Sequence, residues 1–150
     1  MARAFLGLGS NLGDRQGHLG FAIRELAKLG TVLARSPLVE TAPVDCPGGG
    51  LFLNVCVCVE TDLSPRALLE SALSIERSRG RVRAARNEPR VLDIDVLLVG
   101  DLAILEAGLV IPHPRMHERR FVLEPLAAIA SGVMHPVLKR SVAELLESAA

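Results

Sequence analysis

Apolar and small or polar residues alternate through the first ten positions. Leu6 and Leu8 fall on one side and Phe5, Gly7 and Gly9 on the other. A repeat of two is that of a strand, predicted here over residues 3–9. The repeat then lengthens. Leu19, Ala22, Ile23, Leu26 and Leu29 recur at three and four residues, which predicts a helix over 16–29 with one buried stripe. A second strand is expected over 31–40. Two prolines and three consecutive glycines make 41–50 a loop. Residues 51–60 give the clearest strand pattern, with Leu53, Val55, Val57 and Val59 on one face and Phe52, Asn54, Cys56 and Cys58 on the other. Ser64-Pro65 supplies a helix cap and a proline at the first helical position. Leu68, Leu69, Ala72, Leu73 and Ile75 continue that helix. Residues 80–90 are polar and irregular, and 91–98 read as a fourth strand. Short helices are expected near 124–130 and 141–148.

The order β-α-β-β-α-β predicts an α+β fold, a ferredoxin-like sandwich with helices on one face of an antiparallel sheet and short C-terminal helices added. Neither a linker nor an internal repeat divides the chain, so one domain over residues 1–150 is expected. In the fourth strand Leu92, Ile94, Val96 and Leu98 point to the core. Val91, Asp93, Asp95 and Leu97 point away. Two carboxylates one residue apart on a strand face are about 6.5–7 Å apart at Cα, a spacing suited to hard metal ions. The same face carries Phe52, Asn54 and the small Gly7 and Gly9, and so offers a ring, an amide, carboxylates and open floor to a ligand.

Composition sharpens this picture. Apolar residues make up 49% of the 150 positions, which is enough for a core and excludes intrinsic disorder. Acidic and basic residues balance at 17 each, which argues against a general polyanion binder. Yet all the basic residues except Lys28 and Lys139 are arginines, and Arg77, Arg79, Arg81, Arg83, Arg86 and Arg90 crowd the stretch before the aspartates. Arginine recognises phosphate through paired N–H groups. An arginine loop beside an Asp-x-Asp strand suits phosphoryl transfer from a nucleotide. With four Phe and neither Trp nor Tyr, stacking of single-stranded nucleic acid has too few rings. The three cysteines do not read as a disulfide framework, and reduced thiols, a cytoplasmic setting and no membrane span are expected.

Several motifs are absent. Leu12 stands where a dinucleotide fingerprint needs its third glycine, and the chain has no P-loop string, no Gly-x-Ser-x-Gly and no Cys-x-x-Cys. What is present resembles the 6-hydroxymethyl-7,8-dihydropterin pyrophosphokinase family. The resemblance rests on Phe5-Leu6-Gly7-Leu8-Gly9-Ser10-Asn11-Leu12-Gly13-Asp14-Arg15, Glu40-Thr41-Ala42-Pro43 and Phe52-Leu53-Asn54. It continues in Gly80-Arg81-Val82-Arg83, Pro89-Arg90-Val91-Leu92-Asp93-Ile94-Asp95, and Pro112-His113-Pro114-Arg115 with Arg119 and Phe121.

The resemblance implies transfer of diphosphate from ATP to the pterin hydroxymethyl group in folate biosynthesis, with two Mg²⁺ ions bound with ATP. By position, Asp93 and Asp95 match the metal-binding aspartates, and Arg81 and Arg90 the catalytic arginines. Glu76, Arg83, Arg86, His113 and Arg119 match the segments and positions that meet ATP. Phe52 and Phe121 match the rings that hold the pterin, and Asn54 reads its edge with help from Thr41, Ala42, Pro43 and Val44. The chain departs from the family at Glu88, which replaces a glycine, and at Gly108, where some members carry an arginine. Adenine packing is then expected from Val96 and Val110. ATP and the pterin are the expected partners, with no nucleic acid, no membrane and a chain that is monomeric or a weak homodimer. Two other readings are an RNA-binding ferredoxin-like module and a catalytically degraded relative. The first lacks the aromatic platform, and the second rests only on Glu88 and Gly108.

Overall fold

The computed structural model describes residues 1–42, 50–79 and 91–149. Strand β1 covers Ala2–Ser10, helix α1 Arg15–Leu26, β2 Thr31–Arg35, β3 Val39–Thr41, β4 Phe52–Thr61, helix α2 Pro65–Ser78 and β5 Asp93–Val99. The C-terminal third adds β6 (Ile104–Glu106), β7 (Leu109–Ile111), a single 3₁₀ turn over Met116–Glu118, α3 (Arg120–Ala130) and α4 (Val142–Ser148). The main sheet runs β2-β4-β1-β5, with β3 pairing β4 beyond the end of β2, and all of these pairings are antiparallel. If β2 and β3 are taken as one interrupted strand, this is the ferredoxin-like sandwich expected from the sequence.

Local chemistry accounts for the boundaries. Asp14 caps α1 by accepting a hydrogen bond from the Gly17 N–H, and Ser64 caps α2 by accepting from Ala67 N–H, with Pro65 just inside. The expected strand over 31–40 is broken at Ser36-Pro37. A proline has no N–H for a ladder. Ser36 repairs the gap, because its Oγ accepts the Cys56 N–H at 2.9 Å while its own N–H donates to the Cys56 carbonyl at 2.8 Å.

The first core layer lies between the sheet and helices α1 and α2. Leu6, Leu8, Val55, Val57, Val59, Ile94 and Val96 meet Leu19, Ala22, Leu26, Leu68 and Ala72 there. The second sheet face is not left open along its whole length. Phe5, Cys56, Cys58, Leu97 and Leu98 are covered by Met116, Leu123, Leu126, Ala130, Val142 and Leu145 from the C-terminal third. Leu98 therefore faces the opposite way from its expectation. A bulge in β5 is the reason: Leu98 pairs with Phe5 and Val96 with Leu6, so Leu97 has no partner on β1 and the alternation slips by one. Cys56 and Cys58 are free thiols, as expected, and burial with the neighbouring Cys58 pushes the Cys56 thiol up to about 12.

His135 organises the turn before α4. Its side chain is buried, and Nδ1 accepts the N–H groups of Val137 at 3.2 Å and Leu138 at 3.0 Å. Burial first, and the neighbouring His117 second, hold its pKa below the ordinary 6.5. His18 and His113 are shifted the same way. A histidine with a depressed folded pKa stabilises fully above its unfolded value, and the contribution is lost as pH falls below about 6.5. The melting temperature should therefore drop between pH 7.5 and pH 5.5, and His135→Gln should flatten that slope. A slope identical in the variant and the parent would refute the assignment to His135.

Candidate active site

The β-ladder sets the geometry. Asn54 of β4 pairs with Gly9 of β1, and Gly9 pairs on its other side with Asp93 of β5. One step along, Cys56, Gly7 and Asp95 form the next row. Residues aligned across neighbouring strands share a face. The amide of Asn54 and the two carboxylates thus stand on one surface, separated by β1, whose positions in these two rows are the glycines Gly9 and Gly7. Gly9 has a specific reason to be glycine. A Cβ there would lie 3.2 Å from Asn54 Oδ1 and 3.5 Å from Phe52 Cδ1, so the amide and the ring lean over β1 because nothing rises from it.

On the β4 side, Asn54 is 8% exposed, and its Nδ2 donates to Thr41 Oγ1 at 2.8 Å and to the Val39 carbonyl at 3.4 Å. These bonds fix the amide plane and leave Oδ1 as the acceptor turned toward Gly9. Thr41 pairs directly with Phe52. Phe121 enters from the first turn of α3, a helix that packs on β3 and β4, and both rings are half-buried. The Arg119 guanidinium lies 5.8 Å from the Phe121 ring centre. Aromatic rings and a fixed amide suit a flat heterocycle with hydrogen-bonding edges.

On the β5 side, Asp93 and Asp95 are partly exposed. His113 Nε2 lies 3.8 Å from Asp95 Oδ1. The Leu97 carbonyl of β5 anchors this histidine by accepting the His113 N–H at 2.9 Å. Its Nδ1 accepts the Arg115 N–H at 3.3 Å, so the neutral ring carries its proton on Nε2, toward the carboxylates. Burial and then Arg119 lower its pKa, with Arg115 adding to this and Asp93 pulling the other way. Near neutral pH it is an uncharged N–H donor.

Other expected residues fall elsewhere. Glu76 lies under the sheet and not on its ligand face: it is 1% exposed, and its Oε2 accepts the Ile94 N–H at 2.7 Å, the amide between the two aspartates. Val96 is 6% exposed and belongs to the helix-side core, because it alternates with Asp95. Val110 lines a groove of about 320 Å³ with Ile104, Pro112 and His113, so the structure does not bring the two valines together. Gly108 is the second residue of the β6–β7 turn, with φ of +76°, a conformation that favours glycine and accounts for the missing arginine there. Arg66 reaches that turn from α2, 3.3 Å from the Ala107 carbonyl. Ala42 is exposed at the end of β3. Pro43, Val44, Arg81, Arg83, Arg86, Glu88 and Arg90 lie outside the described residues.

Sequence reasoning gave Arg15 no role. Its Nη1 lies 2.8 Å from the Leu51 carbonyl and 2.8 Å from Glu40 Oε2. A signal was available: Arg15 is the first residue of α1, where the helix dipole favours an acid over a base.

Among the described residues no group of three or more His, Cys, Asp or Glu side chains could hold a metal ion. Two accessible carboxylates are a different kind of site. They fit Mg²⁺, which binds through one or two carboxylates and completes its shell with phosphate oxygens and water.

The pattern of the 7,8-dihydro-6-hydroxymethylpterin-pyrophosphokinase (HPPK) family matches residues 5–131. The 2-amino-4-hydroxy-6-hydroxymethyldihydropteridine pyrophosphokinase of Methylorubrum extorquens is 47% identical over 132 residues, 87% of this chain and 84% of that protein. The protein of the same name from Bacillus subtilis is 43% identical over 132 residues, 87% of this chain and 79% of its own length. In the crystal structure of wild-type Plasmodium falciparum HPPK-DHPS, a region superposes with 97% of this chain at a TM-score of 0.77. The identity there is 16% and this chain spans 44% of that one, so the likeness concerns the fold. With a family pattern covering most of its length and relatives similar over most of theirs, this chain belongs to the 7,8-dihydro-6-hydroxymethylpterin-pyrophosphokinase family.

Proposed function

We propose that this chain transfers the β,γ-diphosphate of ATP to the hydroxymethyl group of 6-hydroxymethyl-7,8-dihydropterin. AMP and the pterin diphosphate are released, in a cytoplasmic step of folate biosynthesis. The observation that carries this reading is the row Asn54–Gly9–Asp93. Asn54 and Asp93 flank Gly9 across three adjacent strands, which supports a heterocycle and a metal-bound nucleotide meeting above the glycine.

The chemistry follows from these positions. The pterin lies between Phe52 and Phe121, with Asn54 Oδ1 accepting from its amide edge. Its hydroxymethyl oxygen attacks the β-phosphorus in line, the bond from that phosphorus to the bridging oxygen of AMP breaks, and the hydroxyl proton passes to a carboxylate oxygen of Asp95. Asp93 and Asp95 would hold two Mg²⁺ ions, which supply charge neutralisation on the triphosphate oxygens when bound. His113 presents its Nε2–H to a phosphate oxygen, and Arg119 adds positive charge at the same edge. Arg81 and Arg90 are assigned to the developing charge on the transferred group, with Arg83 and Arg86 supporting nucleotide binding and Val110 offering an apolar surface to the base, while Glu76 acts from beneath the sheet by holding the Ile94 N–H between the two aspartates. No covalent enzyme intermediate is needed, since the acceptor alcohol is itself the nucleophile, and both described cysteines are buried.

Incubation with ATP, Mg²⁺ and the hydroxymethyl pterin should yield AMP in step with pterin consumption. Chelation of the metal should stop turnover, and added Mg²⁺ should restore it. Formation of ADP, or turnover that survives chelation, would overturn the assignment.

A further inference from the structure

We infer that Arg15 is a positioning residue that ties together the two strand ends carrying the pterin-reading groups. This rests on the reading of Thr41, Phe52 and Asn54 as the pterin site. One nitrogen of Arg15, Nη1, makes both contacts, to Glu40 Oε2 and to the Leu51 carbonyl, each at 2.8 Å. Glu40 immediately precedes Thr41, and Leu51 immediately precedes Phe52. Thr41 and Phe52 are cross-strand partners, and Thr41 Oγ1 orients the Asn54 amide. The guanidinium therefore grips the residue before each member of the pair. A second contact from the same segment points the same way, since Asn11 Nδ2 reaches the Gly50 carbonyl at 3.4 Å.

The grip has a fixed base. Arg15 opens α1, and Leu19, Ala22 and Leu26 lock that helix into the first core layer. Position and chemistry both argue that the contacts, not the helix, account for an arginine here. The helix N-terminus disfavours a cation. Arg15 Nη1 donates a hydrogen bond to the Leu51 carbonyl and forms an ion pair with the Glu40 carboxylate, and a lysine ammonium, at the end of a shorter side chain, would reproduce this only in part. An exposed ion pair alone contributes little. Here the carbonyl bond adds to it, and the product is orientation of Phe52 and Thr41 more than global stability.

The test compares Arg15→Ala, Arg15→Lys and Glu40→Gln with the parent protein. The readouts are pterin fluorescence titrations in the presence of a non-hydrolysable ATP analogue, and the KM of each substrate. Arg15→Ala should weaken pterin binding and raise the pterin KM about tenfold, the scale of a lost charge-assisted hydrogen bond. The ATP KM and kcat should stay within about twofold, since the clamp holds the ends of β3 and β4, whereas the carboxylates assigned to the nucleotide stand on β5. Arg15→Lys should fall between the two, and Glu40→Gln, an exposed change that leaves the fold intact, should move the pterin constants in the same direction by less. Equal shifts in both KM values, or no shift in pterin binding for any variant, would overturn the clamp. Parent protein that binds no pterin would overturn the site reading and the clamp together, whereas tight parental binding with unaltered variants would overturn the clamp alone.

Discussion

Replacing Asp93 or Asp95 by Ala should lower turnover by about a hundredfold to a thousandfold, the scale seen when a group stabilising transition-state charge is removed. The fold should be kept. Both side chains are partly exposed on the sheet face, outside both hydrophobic clusters, so neither substitution opens a cavity. Asn at either position keeps shape and removes charge, and it should lose nearly as much activity as Ala. AMP release measured across a Mg²⁺ titration separates the two roles within the pair. A variant that regains turnover at high Mg²⁺ has lost affinity for the ion, whereas one that stays inactive has lost the geometry of transfer. Parental activity in either Ala variant would remove the carboxylates from the mechanism.

Glu76→Ala should be the most destabilising single change near the site, by about 3 kcal/mol. An orphaned buried N–H costs about 1–3 kcal/mol, and the space left by the side chain adds to it. The orphan would be the Ile94 amide, which now donates to Glu76 Oε2. Because Ile94 lies between the two aspartates, the loss should not be confined to stability. Hydrogen exchange at Ile94 should accelerate, and Mg²⁺-dependent turnover should fall at temperatures where the variant is still folded. Denaturant melts should show a lower midpoint at unchanged slope, the signature of a stability change without altered compactness. Glu76→Gln keeps an acceptor for Ile94 and should recover a good part of the midpoint. An Ala variant with the parental midpoint would mean that the buried carboxylate contributes nothing to holding β5.

The strand alternation of the sequence was enough to place Asp93, Asp95, Asn54, Phe52, Gly7 and Gly9 on one face, because each lies in a strand long enough for a period of two to show. It failed where a single residue interrupts the period. Leu97 is an extra residue in β5, so Leu98 faces the C-terminal helices, and Pro37 splits one expected strand into β2 and β3. The β6–β7 hairpin escaped notice because three-residue strands carry no measurable period, and its Ala107-Gly108 turn lacks the Asn-Gly or Asp-Gly signal. The helix over 124–130 was seen only in part. It starts at Arg120 and passes through Pro125, whose ring usually argues for a break.

The burial of Glu76 could have been read from its spacing. Position 76 follows Ala72 by four residues and so lies on the apolar stripe of α2, where a charged side chain needs a specific partner. What the sequence could not carry is distance. That Arg15 reaches both Glu40 and Leu51, or that the Leu97 carbonyl anchors His113, depends on how strands far apart in the chain come to lie side by side.

The second layer on the sheet, built from the 3₁₀ turn, α3 and α4, has a thermodynamic consequence. Asp93, Asp95, Phe52 and Asn54 belong to the sheet, whereas His113, Arg119 and Phe121 arrive with the final third of the chain. A substrate that touches both sets binds only while that third is docked, and by linkage it shifts the docking equilibrium by the free energy of its own binding. With the site residues as proposed, nucleotide and pterin would each pin the sheet to its C-terminal cover, and the first to bind would lower the cost of ordering for the second.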